Sequence, residues 1–152
     1  MAYDIKATLD QVLTHLLASG YAGQALILEP KSPPSGAGIT CALWMTSTGV
    51  VQIMAGRNTV EVHTVNVRLY RNMLSEPQEA IELELAQAAS ELLADFIGEY
   101  DLGANIRNVD VAGQFGTPIG TQWGYVQISG IMFRIVDITL PLVVDGSATA
   151  VA

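Results

Sequence analysis

The pattern of apolar and polar residues predicts two amphipathic helices. The first covers residues 4–19, where apolar residues recur every three or four positions and His15 falls on another face. The second begins after Ser75, which with Gln78 fits a capping box, and ends at Gly98 or Gly103. Its apolar stripe consists of Ile81, Leu85, Ala88, Ala89, Leu92 and Phe96.

Runs of apolar or alternating residues predict the strands. Before the second helix these are residues 24–29, 39–45, 50–55 and 60–70, with a hairpin turn at 47–49. After it they are 106–112, 122–128 and 131–144, the last two joined by a tight turn at Ser129-Gly130. The alternation changes phase within 60–70, which indicates either a bulge or a strand buried on both faces.

This order, α-β-β-β-β-α-β-β-β, predicts an α+β fold in which two helices flank a mainly antiparallel sheet. We expect residues 1–145 to form one domain and residues 146–152 a flexible tail, since 152 residues is a typical length for one domain. Both faces of 131–144 are apolar. That strand is therefore either central or has an end that projects towards a neighbour, which Pro141 favours.

The composition indicates a surface that is partly covered by another subunit. Half of the residues are apolar and only 14% are charged, against about 25% in an average soluble domain, and the mean hydropathy is +0.36. No apolar run approaches the ~18 residues that cross a membrane. The first residues lack the pattern of a signal peptide, so we expect a protein made in the cytosol that contacts no membrane.

The charge is concentrated in one segment. Residues 76–101 hold eight of the fifteen acids and no Lys or Arg, while the whole chain carries a net charge of −8. Glu84, Glu91 and Asp95 fall close together beside the apolar stripe of the second helix. They form either a solvated helix face or a negative wall that repels another polyanion.

Motifs for catalysis are absent from the sequence. It has no phosphate-binding loop, no nucleophile elbow and no paired cysteine spacing. His15 and His63 fall on different elements, and Cys41 lies in an apolar run that is typical of a buried residue. We therefore expect no enzyme activity, no cofactor and no metal.

Large aromatic residues and isolated charges near the C-terminus are candidates for contacts. Trp123 and Tyr125 lie near the start of a strand, with Arg107 and Arg134 as possible partners. They belong either to the core or to a subunit interface, where Trp, Tyr and Arg are enriched. Arg134 and Asp137 interrupt an apolar strand, either as exposed charges or as a pair across an interface.

Residues 94–145 resemble the tail terminator proteins of long-tailed siphophages. The similar stretches are ADFI at 94–97, IRNVDV at 106–111, GTPIGTQWGY at 116–125 and GIMFRIVDITLPLVV at 130–144. The resemblance implies a small α+β subunit of a hexameric ring that caps the tail tube, stops its polymerisation and provides the surface on which the head docks. It also implies a place at the tail–neck junction of the virion, after assembly in the host cytoplasm.

The partners that the resemblance implies are other copies of the chain, the tail-tube protein and a neck or head-completion protein. Genomic DNA would pass through the ring without specific binding, past Glu84, Glu91 and Asp95. A loop would contact the tube through Lys31, Pro33, Pro34 and Gly36. The subunit interface would include Trp123, Tyr125, Arg134, Asp137, Leu140 and Leu142.

Two alternative functions remain open from the sequence. The chain is either a related component, in the head–tail connector or in the tail tube, or a non-viral module that binds a small ligand or a protein. In the second case the surface around Trp123 and Tyr125 would be the binding site.

Overall fold

The computed structural model describes residues 5–18, 20, 22–31, 38–53, 58–74, 79–98, 106 and 108–149. The helices are α1 (Ile5–Ala18) and α2 (Glu79–Gly98). The strands are β1 (Ala22–Leu26), β2 (Ile39–Ile53), β3 (Asn58–Asn72), β4 (Asn108–Val109), β5 (Gly120–Ile128) and β6 (Ile131–Thr149). The predicted fold class is confirmed: two helices accompany one six-stranded, mainly antiparallel sheet.

The sheet is built around strand β6. Its strand order is β1-β2-β3-β6-β4, and β5 pairs with β6 as well. β3 pairs with one side of β6, while β5 and β4 pair with successive parts of its other side. β6 is therefore central, which explains why both of its faces are apolar. Pro141 lies opposite Thr64 inside this central strand rather than at an edge.

The main core lies between one face of the sheet and both helices. The predicted apolar stripe of α2 is confirmed, since all six of its residues are buried there. Val12 and Leu16 of α1 are fully buried in the same cluster. His15 was expected on another face of α1, but its ring lies 5.7 Å from that of Phe96. The turn of α1 that carries it therefore packs against α2.

A smaller apolar cluster lies on the opposite face of the sheet. It consists of Ala42, Tyr70, Ile128, Phe133 and Ile135, and no residue of either helix belongs to it. Tyr70 and Phe133 meet edge to face, with their ring centroids 6.0 Å apart. At one end of this face, side chains of neighbouring strands therefore bury one another without a helix above them.

The turn predicted at residues 47–49 does not exist, because β2 is one continuous strand. Ser47, Thr48 and Gly49 pair with residues 62–64 of β3, so two predicted strands merge into one. Turn-forming residues remain in a strand here because β3 is long enough to supply hydrogen-bonding partners. Irregularities between Met45 and Ser47 and between Val50 and Gln52 take up the extra residues of β2.

The phase change in β3 comes from burial on both faces. From Val60 to Asn72 the register with β6 is regular. Val60 is fully buried on one face, and Val65, Val67 and Leu69 are fully buried on the other. No bulge in β3 is needed, since the buried face changes where the strand passes beneath the helices.

The ends of two strands differ from the prediction. β4 is reduced to Asn108–Val109. β6 reaches Thr149, which pairs with Asn58, so residues 146–149 lie in a strand rather than in the predicted tail. The tight turn between β5 and β6 is confirmed, because Ser129 and Gly130 have φ angles of 50° and 83°.

Among the described helices, neither has a stretch long and apolar enough to cross a membrane.

Candidate interaction surfaces

Two arginines anchor the first turns of α2 to the sheet. Arg71 of β3 and Arg134 of β6 are register partners on the helix side. Arg71 Nη1 lies 2.8 Å from Glu84 Oε2, and Arg134 Nη2 lies 2.8 Å from Glu82 Oε1. The hydrogen bond from Arg134 lowers the pKa of Glu82. Glu84 therefore has a cationic partner within the subunit although its side chain stays 47% exposed, and its assignment as a lumen-facing acid stays a prediction.

Glu91 and Asp95 remain on the surface of α2. Both are exposed, and Glu91 accepts a long hydrogen bond of 3.4 Å from Gln87 Nε2, one turn earlier. Because the early acids of the helix bind arginines, these later ones carry the outward negative charge of its C-terminal half.

The predicted partnership of Arg134 with the two aromatic residues is present. Its guanidinium lies 5.1 Å from the ring centroid of Trp123 and 4.6 Å from that of Tyr125. Trp123 packs against the main core, whereas Tyr125 is 62% exposed. Trp123 therefore takes the core alternative, whereas for the exposed Tyr125 the subunit interface stays a prediction. Arg107 lies outside the described residues.

A cavity of about 270 Å³ opens beside this arginine. It is lined by Met73, Ile81, Glu82, Tyr125 and Arg134. Leu74 and Met132 are exposed close to this cavity. Leu74 follows Met73 in the sequence, and the backbone N–H of Met73 donates a hydrogen bond to the carbonyl of Met132. The lining of the cavity combines apolar walls with a few convergent polar groups, which is the usual composition of a small-molecule pocket.

Asp137 does not pair with Arg134, because the two side chains lie on opposite faces of β6. Asp137 instead accepts hydrogen bonds from Arg68 Nε at 2.6 Å, Arg68 Nη2 at 3.0 Å and Asn66 Nδ2 at 3.0 Å. The guanidinium of Arg68 also lies 5.2 Å from the centroid of Trp44. The hydrogen bond to Asp137 raises the pKa of Arg68. Within the chain, Arg134 and Asp137 thus each pair with another residue and not with each other.

Leu140 and Leu142 are not surface residues. Both are fully buried in the main core beneath the helices. They have no exposed area with which to contact a second subunit, so their assignment to an interface was wrong. An apolar sequence on both sides of a strand indicates a central position as readily as a projecting one.

The predicted tube-contact loop is described only at its start. Lys31 is exposed. Pro33, Pro34 and Gly36 lie outside the described residues.

Strand β2 presents an exposed apolar edge that the sequence analysis missed. β1 pairs only with residues 39–42 of β2, so no described strand lies beside the outer edge of residues 43–53. Val50 and Ile53 are 56% and 60% exposed, and Val51 is exposed as well. β2 has no charged residue along its whole length. The predicted hairpin hid this feature, since it would have paired residues 50–55 back onto 39–45.

Residues 47–53 of β2, 58–64 of β3 and 141–149 of β6 form a three-stranded unit, which we call the ribbon. A loop after β4 packs on one face of it. Phe115, Gly116 and Thr117 line a cavity of about 230 Å³ together with ribbon residues that include Val51, Val62 and Pro141.

Asp110 organises that loop. It is buried, and its carboxylate accepts hydrogen bonds from the backbone N–H groups of Gln114 at 2.8 Å and Phe115 at 3.0 Å. Its own N–H donates to the carbonyl of Pro141. Gly113 has a φ of +75°, and a Cβ there would lie 2.8 Å from the nitrogen of Pro118. In the sequence, an Asp shortly before a glycine-rich turn is the signal by which this role of Asp110 could have been predicted.

Reactive side chains do not converge in the described part of the chain. Cys41 is buried, and burial raises the pKa of its thiol to about 12. His63 Nε2 lies 3.8 Å from Glu61 Oε1, and burial lowers the pKa of this histidine although Glu61 opposes the shift. No group of three or more His, Cys, Asp or Glu that could hold a metal occurs among the described residues.

Comparisons with known proteins identify no family for this chain. No protein-family model and no curated protein sequence matches it. One solved structure, described as the virion of native gene transfer agent (GTA) particle, contains a similar chain. The identity is 14%, the TM-score is 0.41 and 93% of each chain is covered. At this degree of similarity the function has to be argued from the residues of the chain itself.

Proposed function

We propose that the chain is a structural subunit of a phage-like particle, and specifically a tail terminator. In this proposal six copies form a ring that caps the tail tube, stops its polymerisation and offers a docking surface to a neck or head-completion protein. The location is the tail–neck junction of the virion. The role is structural, with no reaction and no cofactor.

The observation that carries the proposal is the exposed, charge-free outer half of β2. Val50, Val51 and Ile53 expose apolar surface beside an edge of the sheet that no described strand covers. Soluble monomers protect such edges with charges, prolines or covering segments. A subunit that assembles through such an edge needs it uncovered. The low charge content of the chain agrees with assembly through apolar surface.

The resemblance of residues 94–145 to tail terminators supports the specific role. The matched stretches contribute β5, β6 and the loop after β4, which together form one side of the sheet and one wall of the ribbon cavity. They do not include the outer half of β2, so the exposed edge is an independent observation.

DNA passage would depend on Glu91 and Asp95. These acids are exposed on a helix segment with no base, and such a surface repels phosphates. Glu84 is left out of this role because it binds Arg71.

The first experiment is native mass spectrometry with negative-stain imaging over a range of protein concentrations. The proposal expects rings of six subunits with an open centre, which bind the tips of purified tail tubes and prevent further growth. Stacking into long tubes would favour the alternative of a tail-tube component. A monomer that neither forms rings nor binds tube tips would contradict the whole proposal.

A second experiment tests the lumen. The double variant Glu91→Lys/Asp95→Lys is expected to form rings and cap tubes normally, but to yield particles that eject DNA poorly. The matched control is Glu82→Lys, which breaks the Arg134 ion pair and should act on folding instead. Loss of ring formation in the double variant would place these acids at a subunit contact.

The cavity beside Tyr125 and Arg134 favours one further candidate, a module that binds a small ligand or a protein. A stable monomer with saturable binding that Tyr125→Ala abolishes would support it over the ring.

A further inference from the structure

The cavity beside Arg134 opens among exposed apolar side chains. Leu74 is 78% exposed, and Tyr125 and Met132 are 62% and 44% exposed. Tyr125 lines the cavity itself, while Leu74 and Met132 are joined to the lining residue Met73 by the chain and by a backbone hydrogen bond. Single apolar residues on a surface are ordinary, but several around one opening are typical of a surface that another protein covers.

The volume of the cavity favours a single side chain as its occupant. Pockets for whole small molecules usually hold about 300–1,000 Å³. This cavity holds about 270 Å³, with Met73, Ile81 and Tyr125 as its apolar walls. One leucine, methionine or phenylalanine side chain is an occupant of matching size and polarity.

The arginine in the cavity wall is already engaged by its own chain. Its Nε and Nη2 atoms donate to the two carboxylate oxygens of Glu82 at 3.0 and 2.8 Å, and Nη1 donates to the carbonyl of Gly124 at 3.0 Å. Its side chain is 15% exposed, against 58% for Glu82. The group that faces solvent at the rim is therefore the carboxylate, and an anionic ligand would have to displace it.

The rim carries a net negative charge. Glu79 is exposed and lies one turn before Glu82 on α2, and residues three apart on a helix are neighbours on its surface. Arg134 offsets one of these two acids. Residues 75–78, which precede α2 in the sequence, contain Glu76 and no base. A partner segment that carries positive charge beside its apolar residue complements this rim.

We propose that this cavity is a socket for a protein partner, which inserts one large apolar side chain from a segment that has Lys or Arg on either side of that residue. The apolar side chain contacts Met73, Ile81 and Tyr125, while the flanking bases approach Glu79 and Glu82. The socket does not depend on the ring, so the two can fail separately. In a tail terminator, the partner would be a neighbouring protein of the particle that has such a basic segment.

Methyl NMR of the full-length chain tests the socket. The methionine methyl groups are isotope-labelled, and the signals of Met73 and Met132 are assigned with Met73→Leu and Met132→Leu. The end-blocked peptide Lys-Phe-Lys is expected to shift both signals saturably, with a dissociation constant of about 1 mM or below, a weak affinity that a single anchoring side chain can supply.

Two matched peptides separate the contributions of charge and anchor. Glu-Phe-Glu keeps the aromatic side chain and reverses the charge, whereas Lys-Ala-Lys keeps the charge and removes the anchor. Each is expected to bind at least about fivefold more weakly than Lys-Phe-Lys, because one loses the attraction of the rim and the other loses the buried apolar surface.

Two variants locate the binding. Tyr125→Ala removes one wall and is expected to weaken Lys-Phe-Lys at least about fivefold, since less apolar surface is buried. Glu79→Gln is expected to reduce the preference for Lys-Phe-Lys over Glu-Phe-Glu. Leu17→Ala is the control, because Leu17 is an exposed apolar residue of α1, outside the cavity lining. The urea unfolding transition of each variant checks that it is folded.

Four results would overturn the socket. These are the absence of a saturable shift with any peptide, equal affinity for Lys-Phe-Lys and Glu-Phe-Glu, and an affinity for free p-cresol that equals the affinity for Lys-Phe-Lys, which would make the cavity a small-molecule site. The fourth is a shift of both methionine signals with protein concentration alone, which would mean that a second copy covers the cavity. Rings without peptide binding would remove the socket and leave the terminator function intact, while peptide binding by a chain that forms no rings would do the reverse.

Discussion

Arg68 and Asp137 form an ion pair on the sheet face that carries the smaller apolar cluster. Their side chains are 18% and 21% exposed, and the carboxylate of Asp137 accepts three hydrogen bonds from Arg68 and Asn66. Trp44 and Tyr70 flank the guanidinium. Removing the arginine would leave a largely buried carboxylate with a single donor.

We expect Arg68→Ala to lower the free energy of unfolding by about 2 kcal/mol, because an unsatisfied buried acceptor costs roughly 1–3 kcal/mol. Urea unfolding at pH 7 measures it. Lys6→Ala is the matched control, since Lys6 and Asp10 are exposed and 4.0 Å apart. The control should change stability by less than about 0.5 kcal/mol. An equal effect in both variants would contradict the role of Arg68.

The lowered pKa of His63 predicts a pH dependence of stability. A histidine that binds its proton more weakly in the folded chain than in the unfolded chain favours unfolding when it is protonated. Stability should therefore be fully present above the unfolded value of about 6.5 and decrease as the pH falls below it. Glu61 opposes the shift and limits the decrease.

His63→Gln is expected to reduce this loss, measured as the difference between urea midpoints at pH 7.5 and pH 5.5. His15→Gln serves as the comparison, since its ring packs on Phe96 in a different part of the core. If the urea midpoint changes by the same amount between the two pH values in the His63 variant and in the native chain, the pH dependence does not come from His63.

At the residue scale, the sequence predicted which groups are chemically special but not how they pair. Trp123, Tyr125 and Arg134 were correctly placed together because they lie on adjacent strands joined by a predictable turn. Asp137 was not, since its partner Arg68 comes from β3, and that register depends on the whole sheet. Leu140 and Leu142 were misplaced for the same reason.

At the scale of elements, the loop after β4 depends on one side chain. Asp110 accepts from two backbone N–H groups and holds the loop over the ribbon. Asp110→Ala is expected to cost about 2 kcal/mol, because two backbone N–H groups lose the acceptor that holds them, at about 1 kcal/mol for each hydrogen bond. Hydrogen exchange should show faster exchange at Gln114 and Phe115. Asp110→Asn, which keeps one acceptor oxygen, should lose less; equal losses in both variants would contradict this explanation.

Periodicity predicted the elements well where one face alone is buried. The stripe of α2 and the turn at Ser129-Gly130 follow from local rules of helix spacing and hairpin geometry. The predicted turn at 47–49 failed because Ser, Thr and Gly are turn residues by preference and become strand residues when a long neighbour pairs with them. Local preference could not reveal the length of β3.

For the whole molecule, we expect salt to strengthen self-association. Each copy carries a net charge of −8, while the exposed outer half of β2, through which we propose that the chain assembles, has no charged residue. Raising the salt concentration from about 0.05 M to about 0.5 M shortens the Debye length from roughly 14 Å to roughly 4 Å, which screens repulsion between copies. Sedimentation velocity should show more assembly at high salt.

The variant Glu91→Gln/Asp95→Asn should depend less on salt, because it removes part of that repulsion. Dissociation at high salt in the native chain would instead indicate that ion pairs between subunits hold the ring.

We expect the ladder between β3 and β6 to form late in folding. It joins residues as distant along the chain as Asn72 and Phe133 at one end and Asn58 and Thr149 at the other. Closing such long loops is slow, and topologies dominated by distant pairs fold in milliseconds to seconds. β2 and β3 are closer in sequence and can pair earlier, with the charge-free β2 unprotected. Refolding yield should therefore fall as chain concentration rises, because early hairpins meet each other before β6 arrives.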